Sequence, residues 1–500
     1  MPLTLGLDSS TQSISAVIID TDAGEVLFTE SINFGERVSK YNAPSGYHTN
    51  EQGEFFADPM MWLDGLDLLL EKLKSKEAPL NKIEAIAGTA QQHATVYLND
   101  TFEKTVSNLD SNRLLSAQIK PSLSREISPI WMDHTTNAQC KEITEAVGRD
   151  YLIQHSGSIA TARFSGPQIR KFSQQDPSAY ALTQHIHMCS SFMASVLSGS
   201  LAPLDHTDAS GMNLLDIQSQ TWDEKLLSAT ADDLLGKLPS LATSTTEIGT
   251  IAKYFTEKYG FSADTKIITW TGDNPASLVG MGASSPGRMV LSLGTSFTCF
   301  AAMDKPHTDP DGYGHVFCNP AGGYMSLTCF KNGALTCEHV RGLLGLTWEE
   351  FNDHVSAPPQ PNRKIKKPFL FDEITPPTPA NPNLKHSLAV STKTLPEILS
   401  GMFINIRERT EWIGMSGDTI FLTGGASQST GICQIIADVF EKNVQCLQNP
   451  GSASLGAAML AAHTIGASTL DSLDIAFCAP SYKTYKPDKS AIEVYHSYTA

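Results

Sequence analysis

LTLGLDSSTQSISAVIID, residues 3–20, decides how the rest of the chain is read. Two apolar runs, Leu3–Leu7 and Ile14–Ile19, flank Asp8, Ser9, Ser10, Thr11, Gln12 and Ser13. That pattern predicts two strands joined by a tight, hydroxyl-rich turn. Reversing the chain requires neither a carboxylate nor a cluster of hydroxyls. Small hydroxyl residues do, however, let backbone N–H groups approach a ligand and add donors of their own, which suits a phosphate-binding turn.

Working outward, GEVLFTESINF supplies a third strand, and Asp58–Pro59 reads as a helix start, a capping residue followed by proline at the first helical position. Leu66, Leu69, Leu70 and Leu73 then recur at the spacing of one buried helix face. KIEAIAGTAQQHATVYL predicts a strand, a polar turn and another strand. Strands and helices mix throughout, which indicates an α/β architecture.

The opening design returns in RMVLSLGTSFTCFAAMD, where Met289–Leu293 and Phe297–Met303 flank a Gly–Thr–Ser turn and the second run ends in an acid. We read an internal duplication of a β-hairpin, one copy per domain. The expected domains are 1–270 and 271–500, the second carrying a proline-rich excursion over 356–386. A third turn, Gly424–Gly425–Ala426–Ser427, follows the run TIFLT and precedes an amphipathic helix with Ile432, Ile435, Ile436 and Val439 on one face. GSASLGAAMLAAHTIG predicts a small-residue helix able to approach a neighbour closely.

Bulk composition sets limits. At 500 residues, two or three domains are expected. A net charge of −17 argues against nucleic acid or an anionic membrane as partner. Nine cysteines without a CxxC pair read as reduced thiols, and no stretch approaches a membrane span. The first residues lack the basic and apolar blocks of a signal peptide, so the expected compartment is the cytoplasm. There is no P-loop and no dinucleotide fingerprint, so any phosphate grip must come from the paired hairpin turns.

Other motifs carry chemistry suited to a polyhydroxylated substrate. TGDNPASL sets Asp273 and Asn274 at a strand end, where a carboxylate suits a general base in phosphoryl transfer. AQQHATVYL offers Gln91, Gln92 and His93, groups that recognise neutral hydroxyls. PIWMDHTTNAQC adds Trp131 and Asp133, an apolar ring and an acid suited to a polyol pocket. Any one of these turns or side chains alone is ordinary structure.

Together, GLDSSTQS, AQQHATVYL, SPIWMDHTTNAQC, DASGMNLLD, TGDNPASL, SLGTS and TGGAS resemble, in order and spacing, the FGGY carbohydrate kinases over nearly the full length. The resemblance implies two actin-like, ribonuclease-H-like domains with an interdomain active-site cleft. It also implies ATP-dependent phosphorylation of a sugar hydroxyl with Mg²⁺, D-xylulose being the expected acceptor and D-xylulose 5-phosphate the product. Carried over by motif, Asp273 is the base, Asn274, Gln92, His93 and Asp133 meet the sugar, and Asp8 helps hold the metal. Thr11, Gln12 and Ser13 fall on the first phosphate turn, Gly294, Thr295 and Ser296 on the second, and Gly424, Gly425 and Ser427 receive the nucleoside.

The chain departs from the family at Thr135, where many relatives carry arginine, and at Ser429, where asparagine is common. The sequence leaves open another ketose or polyol as acceptor, an actin-like nucleotide switch, a sugar-sensing pseudokinase, and a homodimer.

Overall fold

The computed structural model describes residues 2–358, 368–381, 390–447 and 453–497. These form two compact units. The first comprises Met1–Gly282, Phe317–Gly322 and Gly451–Cys478, and the second Ala283–Val316, Gly323–Pro450 and Ala479–Ala500.

In the first unit, β1 (Leu3–Ser9), β2 (Ser13–Asp20) and β3 (Glu25–Asn33) form the expected antiparallel meander, Ser9 facing Ile14 across the turn. The helix α1 (Pro59–Ser75) starts where the sequence predicts, the Asp58 side chain accepting from the Met60 N–H. Its leucine stripe is fully buried. Next, β4 (Ile83–Ala90) pairs parallel with β1. The strand Thr95–Leu98, expected from the same stretch, leaves this sheet and pairs instead with His185–Met188. A short helix, α2 (His206–Ser210), precedes β5 (Glu247–Thr250), β6 (Lys266–Ile268), β7 (Thr271–Gly272) and α3 (Asp273–Gly280). The sheet order is β5-β6-β4-β1-β2-β3, with β7 also paired parallel to β4.

The second unit repeats this plan. The strands β8 (Met289–Leu293) and β9 (Phe297–Met303) are the predicted hairpin, and β9 pairs antiparallel with β10 (Tyr324–Phe330). On the other side β8 pairs parallel with β11 (Thr419–Thr423), which leads through Gly425–Gln428 into α4 (Thr430–Phe440). Beyond lie β12 (Asn443–Leu447), parallel to β11, and β13 (Pro480–Tyr485), antiparallel to β12. The order β13-β12-β11-β8-β9-β10 matches β5-β6-β4-β1-β2-β3 in direction, and a further strand, His315–Cys318, follows β10 in the second sheet. The duplication covers six strands of each sheet, not only the hairpin.

The helix α5 (Ala453–Thr464) returns to the first unit and explains the alternation in LTLGLD. Leu3, Leu5 and Leu7 join the core that includes the α1 stripe. Thr4 and Gly6 face α5: the Thr4 hydroxyl donates to the Ala458 carbonyl at 2.9 Å, and a Cβ on Gly6 would lie 1.8 Å from the Ser454 carbonyl oxygen. Gly456 is equally confined, its Cβ position 1.9 Å from the Ala276 carbonyl oxygen of α3. This packing corrects the expected division at 270/271. Residues 271–282 and the C-terminal stretch 451–478 belong with the first unit, because α3 packs on α5 and α5 on β1 and β4.

Of the expected excursion 356–386, residues 359–367 and 382–386 lie outside the described residues. The described part forms a two-stranded ladder, Glu373–Ile374 against Pro377–Thr378. It is anchored by the Glu373 carboxylate, which accepts from the Lys331 and Asn332 N–H groups. Among the described residues no helix is long and apolar enough to cross a membrane.

Candidate active site

Parallel register brings the principal candidates of the first unit to one edge of its sheet. Asp8 pairs with Thr89 and Ser9 with Ala90, while Thr271 and Gly272 of β7 pair with the same two β4 residues. Asp8, Gln91–Gln92 and Asp273 therefore leave the carboxyl ends of three neighbouring parallel strands, where open α/β sheets bind their ligands. Gly272 has to be glycine, because a Cβ there would come within 2.6 Å of the Gln92 side chain.

Side chains then knit these ends together. Asn274 Nδ2 donates to Gln92 Oε1 and to Asp273 Oδ1, both at 3.0 Å, and its backbone N–H reaches Asp273 Oδ1 at 2.8 Å. Thr11 Oγ1 donates to Gln91 Oε1 at 3.2 Å and accepts from Trp131 Nε1 at 2.9 Å. Ser10 Oγ donates to Asp8 Oδ2 at 2.6 Å. Asp8 Oδ1, Gln91 Nε2 and Gln92 Nε2 are buried without a hydrogen-bond partner among the described residues. Orphaned polar atoms converging at one sheet edge are expected where a polar ligand completes the site.

His93 occupies the left-handed region, φ 68°, a strained conformation that an imidazole adopts only when its surroundings hold it there. Its ring stacks on Phe164 at 4.4 Å, and its Nδ1 lies 3.0 Å from the Gly211 carbonyl oxygen, just past α2. Because a carbonyl can only accept, Nδ1 carries the proton and Nε2 is the ring's acceptor atom. The Arg163 guanidinium also stands over the Phe164 ring, 5.5 Å from its centre.

The electrostatics follow from burial. Asp273, hemmed in by protein yet accessible from one side, is pushed up to about 6 by desolvation, against hydrogen bonds from Asn274 and the Gln92 backbone. Asp8 is pushed up to about 7, mainly by burial, with the Ser10 hydroxyl opposing and the Asp273 charge adding to the rise. Below them Asp208, buried and bonded to Ser190 at 2.5 Å, sits well above the usual carboxylate range through desolvation and the neighbouring Asp205 and Asp273 charges. Three carboxyls this close cannot all ionise cheaply without a cation.

Asp133 is also buried, but its Oδ1 is engaged locally by the Thr135 N–H at 2.8 Å. Thr135 Oγ1 accepts at 2.7 Å from Lys171, which is ion-paired with Glu54. The cation at this corner therefore comes from a distant helix. Gln12 and Ser13 complete the first turn, the Gln12 carbonyl accepting from the Phe34 N–H and Ser13 facing Asn33 in the ladder.

In the second unit the two remaining turns are neighbours. Ser292 pairs with Thr423, so Gly294–Thr295–Ser296 and Gly424–Gly425 leave adjacent strand ends. Gly424 has φ 91°, and its Cβ position would fall 2.6 Å from the Leu293 backbone. Ser427 Oγ donates to the Gly424 carbonyl at 2.7 Å, and Ser429 caps α4. Thr295 and Ser296 are exposed, while a Cβ on Gly425 would touch nothing within 4 Å.

Sequence profiles of the FGGY family of carbohydrate kinases match almost throughout, the N-terminal domain over residues 3–280 and the C-terminal domain over 289–465. The chain belongs to the FGGY family of carbohydrate kinases. FGGY relatives include xylulose kinase 2 of Arabidopsis thaliana, 37% identical over 92% of this chain and 87% of that protein. Xylulose kinase of Rattus norvegicus is 36% identical over 93% of this chain and 89% of that protein. Among solved FGGY-type folds, xylulose kinase from Rhodospirillum rubrum superposes with a TM-score of 0.83 at 19% identity, over 99% of this chain and 97% of that one.

Phe164 and Lys171 escape sequence reasoning, and Gly211 enters it only as part of DASGMNLLD, with no hint of its contact to His93. They act on residues between 36 and 118 positions away, and no local pattern announces such partners.

Proposed function

We propose that the chain is an ATP-dependent kinase of D-xylulose that forms D-xylulose 5-phosphate. The observation that carries this reading is the shared strand-end origin of Asp8, Gln92 and Asp273, tied by the Asn274–Gln92 bond, in a chain whose relatives include named xylulose kinases.

Asp273 is the general base. It orients the attacking hydroxyl and accepts its proton late, as the oxygen bonds to the γ-phosphorus in a loose transition state. Its elevated affinity for protons suits the task better than that of an ordinary aspartate, whose pKa near 3.9 is far below operating pH. Gln92, His93, Asn274 and Asp133 meet the sugar hydroxyls, and Asp133 also holds the 131–135 loop through the Thr135 N–H. Thr11, Gln12 and Ser13, with Gly294, Thr295 and Ser296, offer hydroxyls and N–H groups to the phosphates. Gly424, Gly425 and Ser427 receive the nucleoside.

Asp8 fits a divalent cation: its Oδ1 has no partner among the described residues, and burial, with the Asp273 charge adding, raises its pKa. Mg²⁺ bound there with the nucleotide supplies positive charge to the transferring phosphoryl group.

The test is an ATP-coupled assay across ketoses and polyols with the full chain. D-xylulose should give the highest kcat/KM. A different best acceptor would replace the sugar assignment, and ATP turnover indifferent to every sugar would overturn the kinase reading.

A further inference from the structure

Two thiols lie directly beneath the turn assigned above to the nucleoside. Cys433 belongs to the first turn of α4 and Cys446 to β12, and their sulfurs are 3.8 Å apart. Both reach one acceptor, the Ser427 carbonyl oxygen, at 3.2 and 3.5 Å. Cys433 is fully buried, whereas Cys446 is partly open to solvent.

Their surroundings differ in a way that favours chemistry. Hydrogen bonding from Cys433 lowers the Cys446 thiol below its usual range, with burial opposing and the positive charge of Lys483 assisting. The proximity of Cys446, together with burial, pushes Cys433 up, with Tyr485 and Lys483 opposing. The more exposed sulfur is thus the one favoured as thiolate, the arrangement of an attacking thiolate beside a protected partner.

We propose that Cys433 and Cys446 form a reversible redox pair that controls the nucleotide turn, a role that rests on the reading of Gly424–Ser427 given above. The oxidant is a low-molecular-weight disulfide of the glutathione class. The Cys446 thiolate attacks one of its sulfurs, the external S–S bond breaks, and the departing thiolate takes up a proton. Cys433 then loses its proton and attacks the Cys446 sulfur of the mixed disulfide, expelling the second external thiol. Two S–H bonds are lost, one S–S bond forms, and one external disulfide is reduced to two thiols.

Closing the sulfurs from 3.8 Å to the roughly 2.05 Å of a bond draws α4 toward β12. It also removes the Cys433 S–H donor from the Ser427 carbonyl. Loss of a donor worth one net hydrogen bond corresponds to about a fivefold weakening of whatever the turn holds.

The experiment treats the full-length protein with glutathione disulfide, alkylates the remaining free thiols, and maps peptides by mass without reduction. A Cys433–Cys446 bridge should appear, with the KM for ATP raised about fivefold and restored by dithiothreitol. Cys433→Ser and Cys446→Ser should each resist the treatment while keeping the KM of the reduced protein. Recovery of both thiols alkylated, while other cysteines are oxidised, overturns the proposal. So does a bridge that leaves the KM for ATP unchanged in a protein whose KM does respond to Gly425→Val. If Gly425→Val is silent as well, the nucleoside assignment of the turn falls, and the switch with it.

Discussion

Asn274 Nδ2 donates at 3.0 Å to Gln92 Oε1, 182 positions earlier in the chain, and so fixes the glutamine with its one donor group, the buried amide nitrogen, without a partner among the described residues. Asn274→Ala should therefore free the Gln92 side chain to rotate and leave its buried oxygen unsatisfied. The cost of such a group, about 1–3 kcal/mol, predicts a fall in kcat/KM for the sugar of roughly 5- to 150-fold. Steady-state kinetics at saturating ATP check this; an unchanged KM for the sugar would remove Gln92 and Asn274 from the binding pocket.

Asp273→Asn keeps the shape and removes the proton acceptor. Transfer should drop by about 10²–10⁴-fold while calorimetry still detects sugar binding. In the unaltered protein the base must be ionised, so kcat/KM should hold above the Asp273 pKa and fall as pH drops through about 6. A profile flat down to pH 5 would contradict the assignment.

Asp8 makes the opposite demand on stability. Its pKa is raised in the folded state, from 3.8 to about 7, so the native chain keeps a proton that the unfolded chain has released. The corresponding contribution is present below the unfolded value and is lost as pH rises through about 7. Without metal, Asp8→Asn should melt at a higher temperature than the parent at pH 8 and show little difference at pH 4. The same variant should need more Mg²⁺ for activity. Thermal melts and a metal titration read the two effects separately.

Gly425 offers a clean probe because a Cβ there meets no protein atom within 4 Å. Gly425→Val should leave the melting temperature nearly unchanged and raise the KM for ATP. Gly456→Ala should behave in reverse. Its Cβ position lies 1.9 Å from a backbone oxygen, and forced overpacking costs about 1–3 kcal/mol or more. A fall of several degrees in melting temperature is expected for that variant.

Local pattern made the hairpins, the capped start of α1 and the buried face of α4 legible, because spacing and capping act over a few residues. Asp8, Gln92 and Asp273 could be named from their motifs, yet their common origin at one sheet edge depends on register between strands 80 and 180 residues apart. The misplaced domain boundary has a similar cause. Nothing near residue 270 announces that α3 packs against a helix beginning at Ala453. His93 gave no hint of its left-handed backbone, which Phe164 and Gly211 impose from elsewhere.

The bond from Thr4 to Ala458 spans 454 residues and governs how this protein is made. On the ribosome, at roughly 5–20 residues per second, the α5-facing side of the first strand waits tens of seconds for its covering helix. Throughout that interval the nascent first unit shows an unfinished apolar face to the cell. Truncated or stalled products should accordingly be sticky, chaperone-bound and quickly degraded, however well their early segments have folded.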